Sequence, residues 1–183
     1  LKRTNDSIRI LFTEEQIKER VRELGEEISR FYKGRSPHLV CILRGAVIFL
    51  SDLVRNIDLP ITIDFMAVSS YGGSDRSSGI VKITKDLDET IENKDVLIVE
   101  DIIDTGLTLK HLHQIFLARN PRDLKTCVLL DKKERRLTDV DLDFIGFEVP
   151  NEFIVGYGLD YGGFYRNLPF LGILNISELS GGE

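Results

Sequence analysis

Apolar residues fall at steps of three or four from Ile17 through Val21, Leu24 and Ile28 to Phe31, directly after Thr13-Glu-Glu-Gln16, whose spacing is that of a capping box. The pattern predicts an amphipathic helix that stops at Gly34, a residue tolerant of left-handed backbone, with Pro37 just beyond. Leu39-Val-Cys-Ile-Leu43 shows no alternation, so it reads as a short strand buried on both faces, followed by Arg44-Gly45 and a second, apolar helix. Ile61 to Val68 comes closer to period two and predicts a strand that enters a polar, Gly- and Ser-rich mobile loop from Ser69 to Gly79. Ile80 to Thr84 resumes as strand, and the charge-free run Val96 to Val99 belongs at the centre of a sheet. After Glu100 to Thr108 a helix runs through Ala118. Leu124 to Leu130, Phe144 to Val149 and Phe153 to Tyr157 supply further strands.

Strands that alternate with helices imply βαβ units, right-handed crossovers and a mostly parallel sheet, an α/β fold. The 183 residues fit one domain spanning 1–183, since no repeat, low-complexity tract or linker divides them. Composition refines this only modestly. A net charge of −6 and a pI near 5.2 speak against broad adhesion to nucleic acid, so no nucleic-acid partner is expected. Cys41 and Cys127 each lie alone in an apolar run, which suits buried thiols in a reducing, cytoplasmic setting. The apolar stretch Leu39 to Leu50 is broken by Arg44 and too short to span a bilayer, and nothing resembles a signal peptide, so no membrane partner is expected either.

The candidate chemistry gathers between the central strand and the helix that follows. In open α/β sheets ligands sit beyond the carboxyl ends of strands. There Asp104-Thr105-Gly106-Leu107-Thr108 combines a glycine turn, two hydroxyls and a helix N-terminus, which favour a phosphate monoester. Glu100 and Asp101 would repel that phosphate unless they face ribose hydroxyls or a divalent cation, so a phosphorylated sugar with two free hydroxyls meets both demands. Other candidates are plainer. A strand ending in acidic residues also occurs in the magnesium sites of phosphatases and receiver domains. Phe153, Val155 and Tyr157 alternate as core residues do. Lys132 sits in the charge run Asp131 to Arg136, typical of a solvated loop, and His111 and His113 suit a helix surface or satisfied core. Arg44, a charge between apolar strand and apolar helix, needs a partner. Neither a P-loop nor a dinucleotide fingerprint is present.

The thirteen residues Val96-Leu-Ile-Val-Glu-Asp-Ile-Ile-Asp-Thr-Gly-Leu-Thr108 resemble the phosphoribosyl pyrophosphate (PRPP) signature of the type I phosphoribosyltransferases. Leu43-Arg44-Gly45, Ser69-Ser70-Tyr71-Gly72, Lys132, Phe153-Ile-Val-Gly-Tyr157, Leu159-Asp160-Tyr161 and Arg166 follow in the order of the hypoxanthine-guanine phosphoribosyltransferases, a resemblance covering nearly the whole chain. It implies a parallel sheet flanked by helices, with a small hood built from N- and C-terminal segments. It also implies transfer of 5-phosphoribosyl from PRPP to N9 of hypoxanthine or guanine, with Mg2+ as cofactor and assembly as a homodimer or homotetramer.

By the same resemblance Glu100 and Asp101 hold the ribose hydroxyls and, with Asp160, magnesium, while Asp104 to Thr108 cradle the 5′-phosphate. Asp104 lies beside N7 of the base, where it accepts or shares a proton. Leu43, Arg44, Gly45 and Arg166 bind pyrophosphate, and a cis peptide is common in the Leu43-Arg44-Gly45 segment. Lys132 donates to the purine O6, Phe153 stacks on the base, and backbone carbonyls near Ile154 and Asp160 accept from a 2-amino group. The loop beginning at Ser69, Ser70, Tyr71 and Gly72 closes over the site.

Arg44 departs from the Lys of mammalian relatives, keeping charge but changing donor geometry, and the charge run after Lys132 looks bacterial in style. The rival class is an RNA-binding regulator on the same fold, which needs a basic concave face that the net charge of −6 disfavours. A repressor would need a DNA-binding domain, for which the one acidic helix before Leu39 leaves no room. Among enzymes a xanthine-preferring relative stays open, while Lys132 with Phe153 disfavours adenine.

Overall fold

Thr13 opens helix α1 (Glu14–Phe31) as its spacing predicts: its hydroxyl accepts from Gln16 N at 3.4 Å, and the Gln16 side chain accepts from Thr13 N at 2.9 Å. Ile17, Val21, Leu24 and Ile28 form the buried face. The helix stops at Phe31 rather than Gly34, and Gly34 takes φ +79° in the turn beyond. Tyr32 therefore drops wholly into the core, while Phe31 stays partly exposed, edge-on to Tyr32 and Phe144.

The computed structural model describes residues 7–70 and 81–176. Its central sheet has six strands: β2 (His38–Leu43), β3 (Thr62–Ser70), β4 (Val81–Lys85), β5 (Asp95–Ile103), β6 (Asp123–Asp131) and β7 (Phe144–Glu148). They lie in the order β4-β3-β2-β5-β6-β7, parallel throughout except for the β3-β4 hairpin. A three-stranded antiparallel sheet, β1 (Ile8–Phe12), β9 (Leu171–Leu174) and β8 (Ile154–Val155), forms the hood, joining the two ends of the described chain.

The unbroken apolar runs are resolved into two faces. Leu39, Cys41, Leu97, Val99, Cys127 and Leu129 pack with α1 and with α2 (Val47–Leu53). Val40, Ile42, Val96, Ile98 and Val128 pack with Leu109, Leu112 and Phe116 of α3 (Leu107–Leu117). Helices thus cover both sides of the sheet, which is what strands without alternation require. Both cysteines are buried and free, and burial pushes their thiols up, Cys41 to about 12. Among the described residues no helix is long and apolar enough to cross a membrane.

Two expectations change. Ser69 and Ser70 belong to β3 and not to a loop, because their backbones pair with Lys82 and Val81 of β4, and a ladder bond is indifferent to side-chain polarity. Tyr71, Gly72 and the rest of the expected loop lie outside the described residues. The strand foreseen from Phe153 to Tyr157 shrinks to Ile154–Val155, since Gly156, Tyr157 and Gly158 all take positive φ.

Candidate active site

Strand β5 carries Glu100 and Asp101 before it ends at Ile103, and the chain turns through Asp104 and Thr105 to Gly106, whose φ of +81° starts α3. Gly106 has no side chain to cap this helix, and apart from Leu107 N, which donates to Thr105 Oγ1 at 3.4 Å, the first turn borders a hollow of about 150 Å³ lined by Glu100, Ile103, Asp104, Thr105, Gly106 and Thr108. Unsatisfied N–H groups and the positive end of the helix dipole make the hollow a place for an anion. The sequence-predicted phosphate residues are therefore brought together in one turn.

Beside it the carboxylates are under electrostatic stress. Glu100 is 9% exposed; burial pushes its pKa well above the ordinary 4.5, and the adjacent Asp101 carboxylate adds to the rise. Burial likewise raises Asp101, partly opposed by hydrogen bonds from its surroundings and by the field of Arg166. Their protein contacts are local: Asp101 N donates to Glu100 Oε2 at 3.3 Å, and Ile102 N to Asp101 Oδ1 at 2.8 Å. Two crowded carboxylates with no direct cation partner among the described residues suit ligand hydroxyls or a hard divalent ion. Among the described residues no cluster of three or more His, Cys, Asp or Glu is disposed to hold a metal by itself.

The Leu43-Arg44-Gly45 loop leaves β2 with a cis peptide between Leu43 and Arg44. A Cβ at Gly45 would lie 1.5 Å from Asp101 Oδ2, and one at Gly158 would lie 2.1 Å from Gly45 O. Only glycine permits this stacking of loop on loop on carboxylate. Arg44 stands exposed at the surface. Arg166 does not stand free: Nη1 donates to Gly158 O at 2.7 Å, and Nη2 pairs with Asp160 Oδ1 at 2.6 Å. Asp160 Oδ2 accepts from Gly163 N at 2.8 Å, so the residues assigned separately to pyrophosphate and magnesium here hold each other.

On the neighbouring strand, β6 ends at Asp131 and Lys132 N donates to Ile103 O at 2.9 Å, which ties the two strand ends together. Lys132 is only 8% exposed, and burial lowers its pKa against the opposing field of Asp104. It is not the solvated loop lysine that its charge run suggested. Phe153 is not core either: it is 39% exposed and meets Tyr161 edge-on, with ring centroids 5.5 Å apart. Ile154 is buried in β8, paired with Ile173. His113 is satisfied by Thr126 Oγ1 at 2.8 Å.

Two neighbours escaped the sequence reading. Tyr161 had a signal in the Leu-Asp-Tyr motif. Arg135, whose Nε approaches Asp104 Oδ1 at 3.0 Å, had none beyond its place in a charge run.

A model of the phosphoribosyl transferase domain matches residues 8–162. The chain is 55% identical over 163 residues to a hypoxanthine-guanine phosphoribosyltransferase of Aquifex aeolicus, covering 88% of this chain and 92% of that protein. It is 50% identical over 169 residues to one of Streptococcus thermophilus, covering 92% and 94%. A hypoxanthine phosphoribosyltransferase structure from Staphylococcus aureus superposes with a TM-score of 0.92 at 45% identity, covering 95% of each chain.

Proposed function

The chain belongs to the hypoxanthine-guanine phosphoribosyltransferases, and on that premise we propose that it transfers 5-phosphoribosyl from PRPP to N9 of hypoxanthine or guanine, forming IMP or GMP and releasing pyrophosphate. The observation that carries this reading is the Ile103–Lys132 tie, which sets a buried lysine beside a strand end that bears a carboxylate pair and leads into an anion-binding helix start. The turn after β5 supports a phosphate, Glu100 and Asp101 support ribose hydroxyls, and Lys132 at the end of the neighbouring strand supports a base.

Breaking the C1–pyrophosphate bond develops positive charge on the ribose and negative charge on the leaving group, so the residues divide by charge. The amides of Thr105 to Thr108 hold the 5′-phosphate. Glu100 and Asp101 accept from the ribose hydroxyls, which relieves their crowding. Their hard oxygens also suit magnesium, with Asp160 as a further ligand once it leaves Arg166; when bound, the ion neutralises charge on the departing pyrophosphate. Arg44, the amides flanking it and Arg166 receive that pyrophosphate.

Asp104 accepts or shares the N7 proton as N9 attacks. Lys132 donates to O6, and refusal of a 6-amino group follows because two donors would face each other in a buried place. Phe153 covers the base, and carbonyls near Ile154 and Asp160 accept from the 2-amino group of guanine. A cytoplasmic setting and assembly as a homodimer or homotetramer belong to the same reading.

The test is a spectrophotometric assay of PRPP-dependent nucleotide formation with hypoxanthine, guanine, xanthine, adenine and uracil side by side. Turnover of hypoxanthine or guanine is expected. Turnover of adenine or uracil alone would overturn the assignment.

A further inference from the structure

We propose that Arg135 is a positioning residue for Asp104, holding carboxylate oxygen Oδ1 so that Oδ2 is the one presented to the purine. Arg135 closes the short 3-10 turn Lys133–Arg135 that follows Lys132. Two main-chain bonds bracket this segment against the phosphate turn: Lys132 N to Ile103 O at 2.9 Å and Leu137 N to Thr105 O at 2.9 Å. They fall on the residues either side of Asp104, so the backbone itself sets the 132–137 segment opposite that carboxylate. Arg135 Nε then lies 3.0 Å from Asp104 Oδ1.

Asp104 Oδ1 is sealed from solvent and among the described residues has no aligned hydrogen-bond partner, so the Arg135 charge at 3.0 Å is what compensates it, although the side chain as a whole is 41% exposed. The exposure of the carboxylate therefore falls on Oδ2. The adjacent arginine does something different: Arg136 pairs with Asp131, and its Cδ lies against Gly106.

Lys132 is a further cation within the field of Asp104. Without Arg135, rotation of the carboxylate would expose either oxygen and draw it towards Lys132, taking the ammonium away from O6. Arg135 thus keeps acceptor and donor apart, each aimed at its own edge of the base. A merely structural arginine in an exposed pair would matter little.

This role rests on the phosphoribosyl-transfer reading, and a double-mutant cycle on the full chain separates the two. Steady-state kinetics with PRPP, magnesium and hypoxanthine would be measured for wild type, Arg135→Ala, Arg135→Lys, Asp104→Asn and Arg135→Ala/Asp104→Asn, with Lys133→Ala as a surface-charge control. Asp104→Asn is expected to lower kcat by roughly 10- to 1000-fold. Arg135→Ala should lower kcat/KM for hypoxanthine roughly tenfold through misplacement of the carboxylate, with the KM for PRPP and the Tm unmoved, and Arg135→Lys should recover part of it. In the Asp104→Asn background the further loss should vanish, since both changes remove one function. Independent, multiplying losses would overturn the role, as would parallel changes in hypoxanthine and PRPP kinetics or an equal loss in Lys133→Ala. A wild type that turns over neither hypoxanthine nor guanine would overturn the underlying reading, and this role with it.

Discussion

Asp64 and Asp95 lie at the N-terminal ends of β3 and β5, and Glu100 and Asp101 lie towards the other end of β5, yet the same sheet treats these carboxylates in opposite ways. Asp95 is 3% exposed and receives Arg35 at 3.4 Å and Arg122 at 3.2 Å. Asp64 accepts backbone N–H groups from Phe65 at 2.6 Å, Asp88 at 2.9 Å and Glu89 at 3.2 Å. Burial alone would raise Asp64; those donors and the charge of Lys85 outweigh it and hold the pKa below the ordinary 3.8. Glu100 and Asp101 also receive backbone N–H groups, at 3.3 Å and 2.8 Å, but these and the field of Arg166 on Asp101 do not offset the desolvation, and burial wins. One end of the sheet is completed by the protein itself. The other end leaves its carboxylates under stress, which is why the proposed function seats the ligand there.

That contrast fails first at Lys132 if substitution there costs stability instead of selectivity. Lys132→Ala should lower kcat/KM for hypoxanthine and guanine by very roughly 10- to 150-fold, the loss of a charged hydrogen bond of about 1.5–3 kcal/mol. Any trace activity with adenine should be unharmed, so the two rates measured on one variant decide the matter. Equal losses for both bases would return the lysine to a scaffold role.

At the opposite end the expectation is reversed. Asp64→Asn should destabilise the fold by about 1–3 kcal/mol while kcat and both KM values stay at wild-type levels. Because the folded pKa of Asp64 is lowered, its stabilisation is present above the unfolded value near 3.8 and is lost as pH falls through the folded value. Urea melts of wild type and variant should therefore converge on acidification. A kinetic defect in this variant would blur the division between the two ends.

Glu100→Gln should have the smallest effect on stability, and in the unusual direction. With its folded pKa raised, the wild-type fold binds a proton more readily than the unfolded chain, so stability declines as pH rises above about 4.5. The uncharged variant should melt slightly higher than wild type at pH 8, with the gap closing towards pH 4, and should show a raised KM for PRPP. A lower Tm at pH 8 would mean that Glu100 is already satisfied within the protein.

Much of this layout was legible beforehand because it is local. The capping box of α1 and the strand-turn-helix from Val96 to Thr108 involve residues close in sequence, whose pattern and chemistry point the same way. The unbroken runs Leu39 to Leu43 and Val96 to Val99 announced burial on both faces, though not which residue met which helix. What escaped depends on pairing at a distance. Leu171 to Leu174 is too short to show a period, and it becomes a strand only against β1 and β8. The Asp160–Arg166 pair and the approach of Arg135 to Asp104 are set by loop backbones, where charge runs look like solvent-facing chain.

The antiparallel pairing of β1 with β9 also sets an order in time. During synthesis the chain can complete β2 to β7 and the phosphate turn while β1 still waits for its partner from the far end. Closing so long a loop costs entropy that is recovered only once β8 and β9 arrive together. The hood is accordingly the last layer to form. A nascent chain that has reached only Glu148 already carries the turn from Asp104 to Thr108 and Lys132, but not Phe153, Ile154 or the stacked loop at Gly158. In the proposed assignment the phosphate turn, Asp104 and Lys132 thus precede Phe153 and Ile154 on the growing polypeptide, so the part of the base pocket that covers the ring is added last, with the hood.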